Sequence, residues 1–228
     1  MMIEALAVLL ITEIMYDPAS NERWPAKTEW VEVYNPHDHP VDLEGWHLHN
    51  ERGRTVGIGE GVTIKPGEAI VLIPGNQTVE NFREAWGEGF QVVPLRGWHR
   101  PGLHQLSNNP SEEVAILSLR RPDESISDTV NYDNEEPWPS NKPDGPSIYR
   151  LPDRLDVKYS SDGTSWRRSQ ADVHGGRHAK ETSDYSAKDV GSPGRVVTAE
   201  EAKQDEPTAA EAAPEAESQT EAAPQGAS

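Results

Sequence analysis

Apolar and polar positions alternate in the early part of the chain. In "EWVEVYN", Val31 and Val33 fall on one side while Trp30, Glu32 and Tyr34 fall on the other, the two-residue period of a pleated strand. Similar short runs recur as "LLITEIMY", "GWHLHN", "VTIK", "EAIVLIP", "EVAILSLRR", "SISDTVNY" and "SIYRL", most of them bounded by Gly, Pro, Asn or Asp. "AIVLIP" is apolar on both faces and predicts a central strand. Only "QTVENFREAWG" has helical spacing, with Val79, Phe82, Ala85 and Trp86 on one side. Strands separated by turns, with one short helix, predict an all-β sandwich or barrel with long loops.

The pattern divides the chain into three parts. Residues 1–9 hold all but the last residue of the apolar run Ala5–Leu10, which lacks a preceding Lys or Arg, follows Glu4 and is short for a signal core; the segment reads as the start of a first strand or the remnant of a signal sequence. Residues 10–197 carry the strand pattern. Residues 198–228 are nearly all Ala, Glu, Pro, Gln, Ser and Thr without an aromatic residue, a composition that cannot bury a core and predicts a disordered acidic spacer. No apolar run approaches the roughly 20 residues that a membrane-spanning helix needs.

Charge and cysteine content narrow the chemistry. The formal net charge is −18; the tail from Thr198 holds eight acidic residues against one lysine, so −11 remains on residues 1–197. Such a balance opposes binding to phosphate backbones, and nucleic acid is an unfavourable partner. The absence of cysteine removes disulfides, thiol catalysis and thiolate metal sites but fits a cytosolic or an extracellular setting equally.

Six segments in order, "ITEIMYDP", "EWVEVYNPHDHPVDLEGWHL", "KPGEAIVLIPGN", "QLSNNPSEEVAILS", "SDTVNYDNEEPWP" and "GSPGR", together resemble the lamin-tail domain in its bacterial form, over about residues 10–195. The resemblance implies an immunoglobulin-like β-sandwich without catalytic machinery, acting as an interaction or attachment module that is extracellular, periplasmic or at the cell surface, with a protein or surface glycan as partner. The alternative is an accessory or catalytic domain of a secreted hydrolase acting on phosphoesters or polysaccharide. Two long loops, "LRGWHRPGLHQLSNNPS" and "SSDGTSWRRSQADVHGGRHAKETSDYS", exceed a minimal domain and are where specificity would lie.

Several residue groups are candidates for chemistry. His37 and His39, and His47 and His49, stand at i, i+2 and suit a zinc or nickel site if the two segments pair; otherwise they are turn and strand residues with Leu48 facing inward. Oxygen ligands gather in Asp133, Asn134, Glu135 and Glu136, and in Asn108, Asn109, Glu112 and Glu113, where Ca2+ is the candidate cofactor, though neither run has EF-hand spacing. Trp98, Trp138 and Trp24 sit in loop-like surroundings where an indole could anchor a sugar or a protein. His99, His104, His174 and His178 fall in the long loops without a metalloprotease spacing, and no G-x-S-x-G elbow accompanies the many serines. Glu13 and Glu32 lie within strands with no paired motif around them, so they read as carboxylates held by backbone amides or an arginine.

Overall fold

The computed structural model describes residues 7–20, 28–98, 106–108 and 115–205. In chain order the elements are β1 (Leu10–Met15), β2 (Trp30–Tyr34), β3 (Val41–Asp42), β4 (His47–Asn50), β5 (Thr55–Gly57), β6 (Thr63–Ile64), β7 (Ala69–Pro74), α1 (Val79–Trp86), β8 (Gln91–Leu95), β9 (Ile116–Arg120), β10 (Ile126–Asn131), β11 (Ile148–Arg150), β12 (Trp166–Arg168), β13 (Arg177–His178), β14 (Val190–Gly191) and α2 (Ala199–Asp205). A six-stranded sheet in the order β12-β11-β1-β2-β7-β8 faces a four-stranded sheet in the order β10-β9-β4-β5; β3 with β6 and β13 with β14 form two small ladders. The architecture is the all-β sandwich expected from the strand pattern.

Alternation in β2 sorts its side chains as the sequence predicts. Val31 and Val33 join Ile11, Ile14, Ile70 and Leu72 in the inter-sheet core, opposite Leu48, Leu117, Leu119 and Val130 of the smaller sheet. Trp30 faces the other way and meets Val71, Ile73, Phe82 and Trp86, so the large sheet is covered on both faces. That outer cover is supplied by α1, which Thr78 caps by accepting from the Asn81 N–H, and by the chain after residue 170, including Ala179 and Tyr185. Phe82 and Trp86 sit edge-on to Trp30, with ring centroids 6.3 and 5.8 Å away. The β7–β8 pair is parallel, and α1 makes the crossover between its strands.

The turn after β2 owes its shape to Asn35. Its amide donates to the carbonyls of His39 (2.8 Å) and Ile64 (3.0 Å), and its oxygen accepts the N–H of His37 (3.0 Å), tying the turn to the neighbouring hairpin. Across the sandwich, buried Asp128 of β10 accepts the Ile11 N–H (2.8 Å) and the Arg150 guanidinium (2.9 Å), along with the Ser160 hydroxyl, and so fastens the two sheets together.

The first strand begins at Leu10, with Ala7–Leu9 before it. The disordered tail expected from residue 198 opens on a helix, because Thr198 and Glu201 form a reciprocal cap: the Thr198 N–H donates to Glu201 Oε2 (2.8 Å) and the Glu201 N–H to Thr198 Oγ1 (3.4 Å). Residues 206–228 lie outside the described residues.

Candidate functional site

Glu13 and Glu32 are direct partners across the β1–β2 ladder, both on the outer face and both fully buried. A bulge interrupts the register between Ile11 and Glu13, and Thr12, Glu13 and Glu32 line one small cavity together. Glu13 Oε1 accepts from Ser147 Oγ (2.5 Å), Ser169 Oγ (3.2 Å) and the Ser192 N–H (2.8 Å), while Oε2 accepts from Ser192 Oγ (2.5 Å). Glu32 accepts from Thr12 Oγ1 (2.7 Å) and the Gly194 N–H (2.8 Å). The segment 189–197 thus runs over the pair like a strap.

Burial disfavours the charged form of both carboxyls and outweighs these donors. Glu13 is raised above the ordinary 4.5 by desolvation, against the opposing hydroxyl and amide donors. Glu32 is pushed up to about 8, first by burial and then by the Glu13 carboxylate beside it. Both carboxyls are thus biased toward the protonated form. Nearby cations make their hydrogen bonds elsewhere, Arg150 to Asp128, Arg195 to Glu201 (3.1 Å), and Arg177 to the carbonyls of Trp86 and Pro193 (2.9 Å each), although the Arg177 charge acts on both carboxylates through space.

Two carboxyls and three serine hydroxyls converge here, the inventory of an acid–base site, yet the cavity beside them is about 10 Å³, room for about one water. A general base must reach its substrate, and this one is sealed. An open cleft of about 440 Å³ lies on the far side of the strap, lined by Lys65, Arg83 and Arg195 with Glu68 and Phe90. Arg195 and Val196 form a wall of both the cleft and the small cavity, and Gly194 of the cleft alone.

The candidate metal residues do not converge. Among the described residues no group of three or more His, Cys, Asp or Glu is placed to hold a metal ion. His37 Nε2 meets the Val8 backbone at 2.9 Å, and His39 Nδ1 lies 3.0 Å from Asp38, with the two rings 5.0 Å apart. His47 turns to Glu124 (3.3 Å); His49 on the same strand is held below its ordinary value by burial and by Arg120, a cation that would repel a metal ion. In the proposed calcium run, Asp133 folds back to accept the N–H groups of Asn134 (2.7 Å) and Glu135 (3.2 Å), Asn134 donates to Asn141 (3.1 Å), and Glu135 and Glu136 point to solvent. Asn109, Glu112 and Glu113 lie outside the described residues.

The candidate anchoring indoles are also reassigned. Trp98 is 3% exposed and belongs to the inter-sheet core, and Trp138, 9% exposed, lies against Trp166 with ring centroids 5.8 Å apart. Loop-like neighbours concealed their burial. Trp24, His99 and His104 lie outside the described residues. The cleft residues Lys65 and Arg83 escaped notice because they come from separate elements and carry no local motif.

No curated protein and no solved structure matches the chain. A family model does, over residues 4–134, which takes in β1 through β10. The closing "GSPGR" and strands β11 to β14 lie beyond that match, so the donors Ser147, Ser169, Ser192 and Gly194 reach back onto two carboxylates of the matched part. With more than half of its length matched, the chain belongs to the Lamin Tail Domain family.

Proposed function

We propose that this chain is a non-enzymatic attachment module, working outside the cell or at its surface, whose open cleft takes an acidic, extended segment of a partner protein. One observation carries the reading. The convergent acid–base groups are sealed, while the accessible concavity presents Lys65, Arg83 and Arg195 beside the half-buried ring of Phe90 on a molecule of net charge −18. Lys65 is paired only loosely with the exposed Glu68 at 3.4 Å, and such a pair exchanges readily for a competing carboxylate, while Arg195, held by Glu201 at 3.1 Å, adds positive charge to the cleft wall. The cleft also borders Gln91 on β8, an edge strand, where an extended peptide can lie alongside the sheet. The family supports a module without catalysis, and the acidic tail suits a spacer.

The hydrolase alternative would need Glu13 and Glu32 to meet substrate. Screening acidic peptides, neutral glycans, and generic phosphodiester and glycoside substrates separates the readings. Acidic peptides should bind with an affinity that falls as salt rises and is lost in a Lys65→Ala, Arg83→Ala double variant. Turnover that disappears in Glu32→Gln, or glycan binding indifferent to the double variant, would overturn the proposal.

A further inference from the structure

The strap has three fastenings. At its start, Asp189 accepts the Ala19 N–H (2.7 Å) and the Ser20 N–H (3.3 Å), and the Val190 carbonyl accepts the Ser147 N–H (2.9 Å). At its end, Val196 packs against Leu10, Tyr34 and Ala69. Between these, Ser192 and Gly194 are held by Glu13 and Glu32. We infer that the segment 189–197 is a proton-gated strap: it is fastened while the Glu13–Glu32 pair shares one proton, and it loosens when the pair loses that proton.

The geometry sets the direction. With four donors, Glu13 is equipped to carry the single negative charge, and Glu32 to keep the proton. Removing it puts two adjacent negative charges in a buried site with room for about one water, a strongly unfavourable state unless a cation or further water enters. The charged and titratable groups around the pair have their hydrogen-bonded partners elsewhere, although Arg177 acts on both carboxylates, and Tyr149 on Glu13, through space. Tyr149 on β11 is bonded to His174 (3.0 Å) in the loop before β13, Arg150 on β11 to Asp128, Arg177 on β13 to two carbonyls, and Arg195 on the strap to Glu201 at the start of α2. Asp189 sits on the strap itself and is likewise raised by burial. Lifting 192–194 would bring water to both carboxylates without breaking the β1–β2 ladder.

For the sign, both carboxyls are raised in the folded state. The favourable contribution is complete below about 4.5 and is lost as pH rises toward about 8, so the strap opens on the alkaline side. Because Gly194, Arg195 and Val196 also wall the open cleft, strap movement would reshape it, but the gating stands whatever the cleft binds.

The test is amide hydrogen–deuterium exchange of the full chain from pH 5.5 to 9, corrected for intrinsic exchange. Opening of Ser192 and Gly194 should rise at least about tenfold between pH 6 and pH 9, while β2 and β7 amides do not change. Glu32→Gln, which keeps the shape without the second charge, should abolish the rise; His174→Gln should preserve it. Equal strap protection across the range, a rise that survives in Glu32→Gln, or one that vanishes in His174→Gln would overturn the inference. Should Glu32→Gln fail to fold, the infrared carbonyl band of protonated carboxyl in the unaltered protein decides. Its loss must share a midpoint with strap opening, and separate midpoints would refute the gate.

Discussion

Glu13 and Glu32 sit opposite one another on adjacent antiparallel strands, 0% and 1% exposed, in a position where two cross-strand like charges are ordinarily destabilising. Their shared proton and the five donors from Ser147, Ser169, Ser192 and Gly194 turn that liability into the point where the chain beyond residue 134 is fastened to the matched part of the domain. The hydrolase-like inventory of groups is thereby given a structural use.

Stability should follow the protonation of this pair. Because both carboxyls are raised in the folded protein, the folded state binds more protons than the unfolded one between about pH 4.5 and about 8, and stability declines as pH climbs through that interval. Thermal unfolding at a series of pH values should show a falling Tm across it, and a much flatter profile in Glu32→Gln. A Tm that rises from pH 5 to pH 8 would oppose this.

The Asp128–Arg150 pair predicts a different effect. Replacing Arg150 with Met leaves a buried carboxylate with no cation, a change that costs about 3–5 kcal/mol in comparable buried pairs. Denaturant titration should find that loss in Arg150→Met, and a second change, Asp128→Leu, should recover part of it. Equal stability of Arg150→Met and the unaltered chain would show that the pair is not holding the sheets.

Trp98 and Trp138 should behave as core residues. Truncating Trp98 to Ala removes a side chain from the inter-sheet core and should cost about 3–5 kcal/mol by denaturant unfolding. Binding by the folded fraction should be unchanged. A stable Trp98→Ala protein that had lost its ligand would restore the indole as an anchor.

The strap glycines are set by contact and by backbone. A Cβ on Gly194, at φ +79°, would lie 2.2 Å from Phe90, and one on Gly191 would lie 2.7 Å from the Trp30 ring. Gly194→Ala should destabilise the protein by about 1–3 kcal/mol or more and raise exchange in the strap ahead of β2 and β7. Uniform loss of protection throughout the sheet would contradict a local strap.

Local periodicity revealed the elements that depend on neighbours in sequence. The Val31/Val33 alternation gave β2 both its faces, the Val79–Trp86 spacing gave α1, and Asn35-Pro36 marked a turn whose amide bonds span only four to thirty residues. The carboxylate pair was hidden because its donors lie 134 to 179 residues away from Glu13, where no local spacing links them to it. The same holds for the cleft, where Lys65, Arg83 and Arg195 meet only after α1 has crossed the sheet. Histidine pairing at i, i+2 was legible as a pattern, but His37, His39 and His47 turn to separate partners, Val8, Asp38 and Glu124.

The most direct measurement is a carbon-13 NMR titration of the Glu13 and Glu32 side-chain carboxyls in the intact chain. Retention of one proton on the pair through pH 7, with its loss near 8, is the expected result. Two carboxyls that both ionise near the ordinary 4.5 would contradict the shared proton, and with it the fastening of the strap.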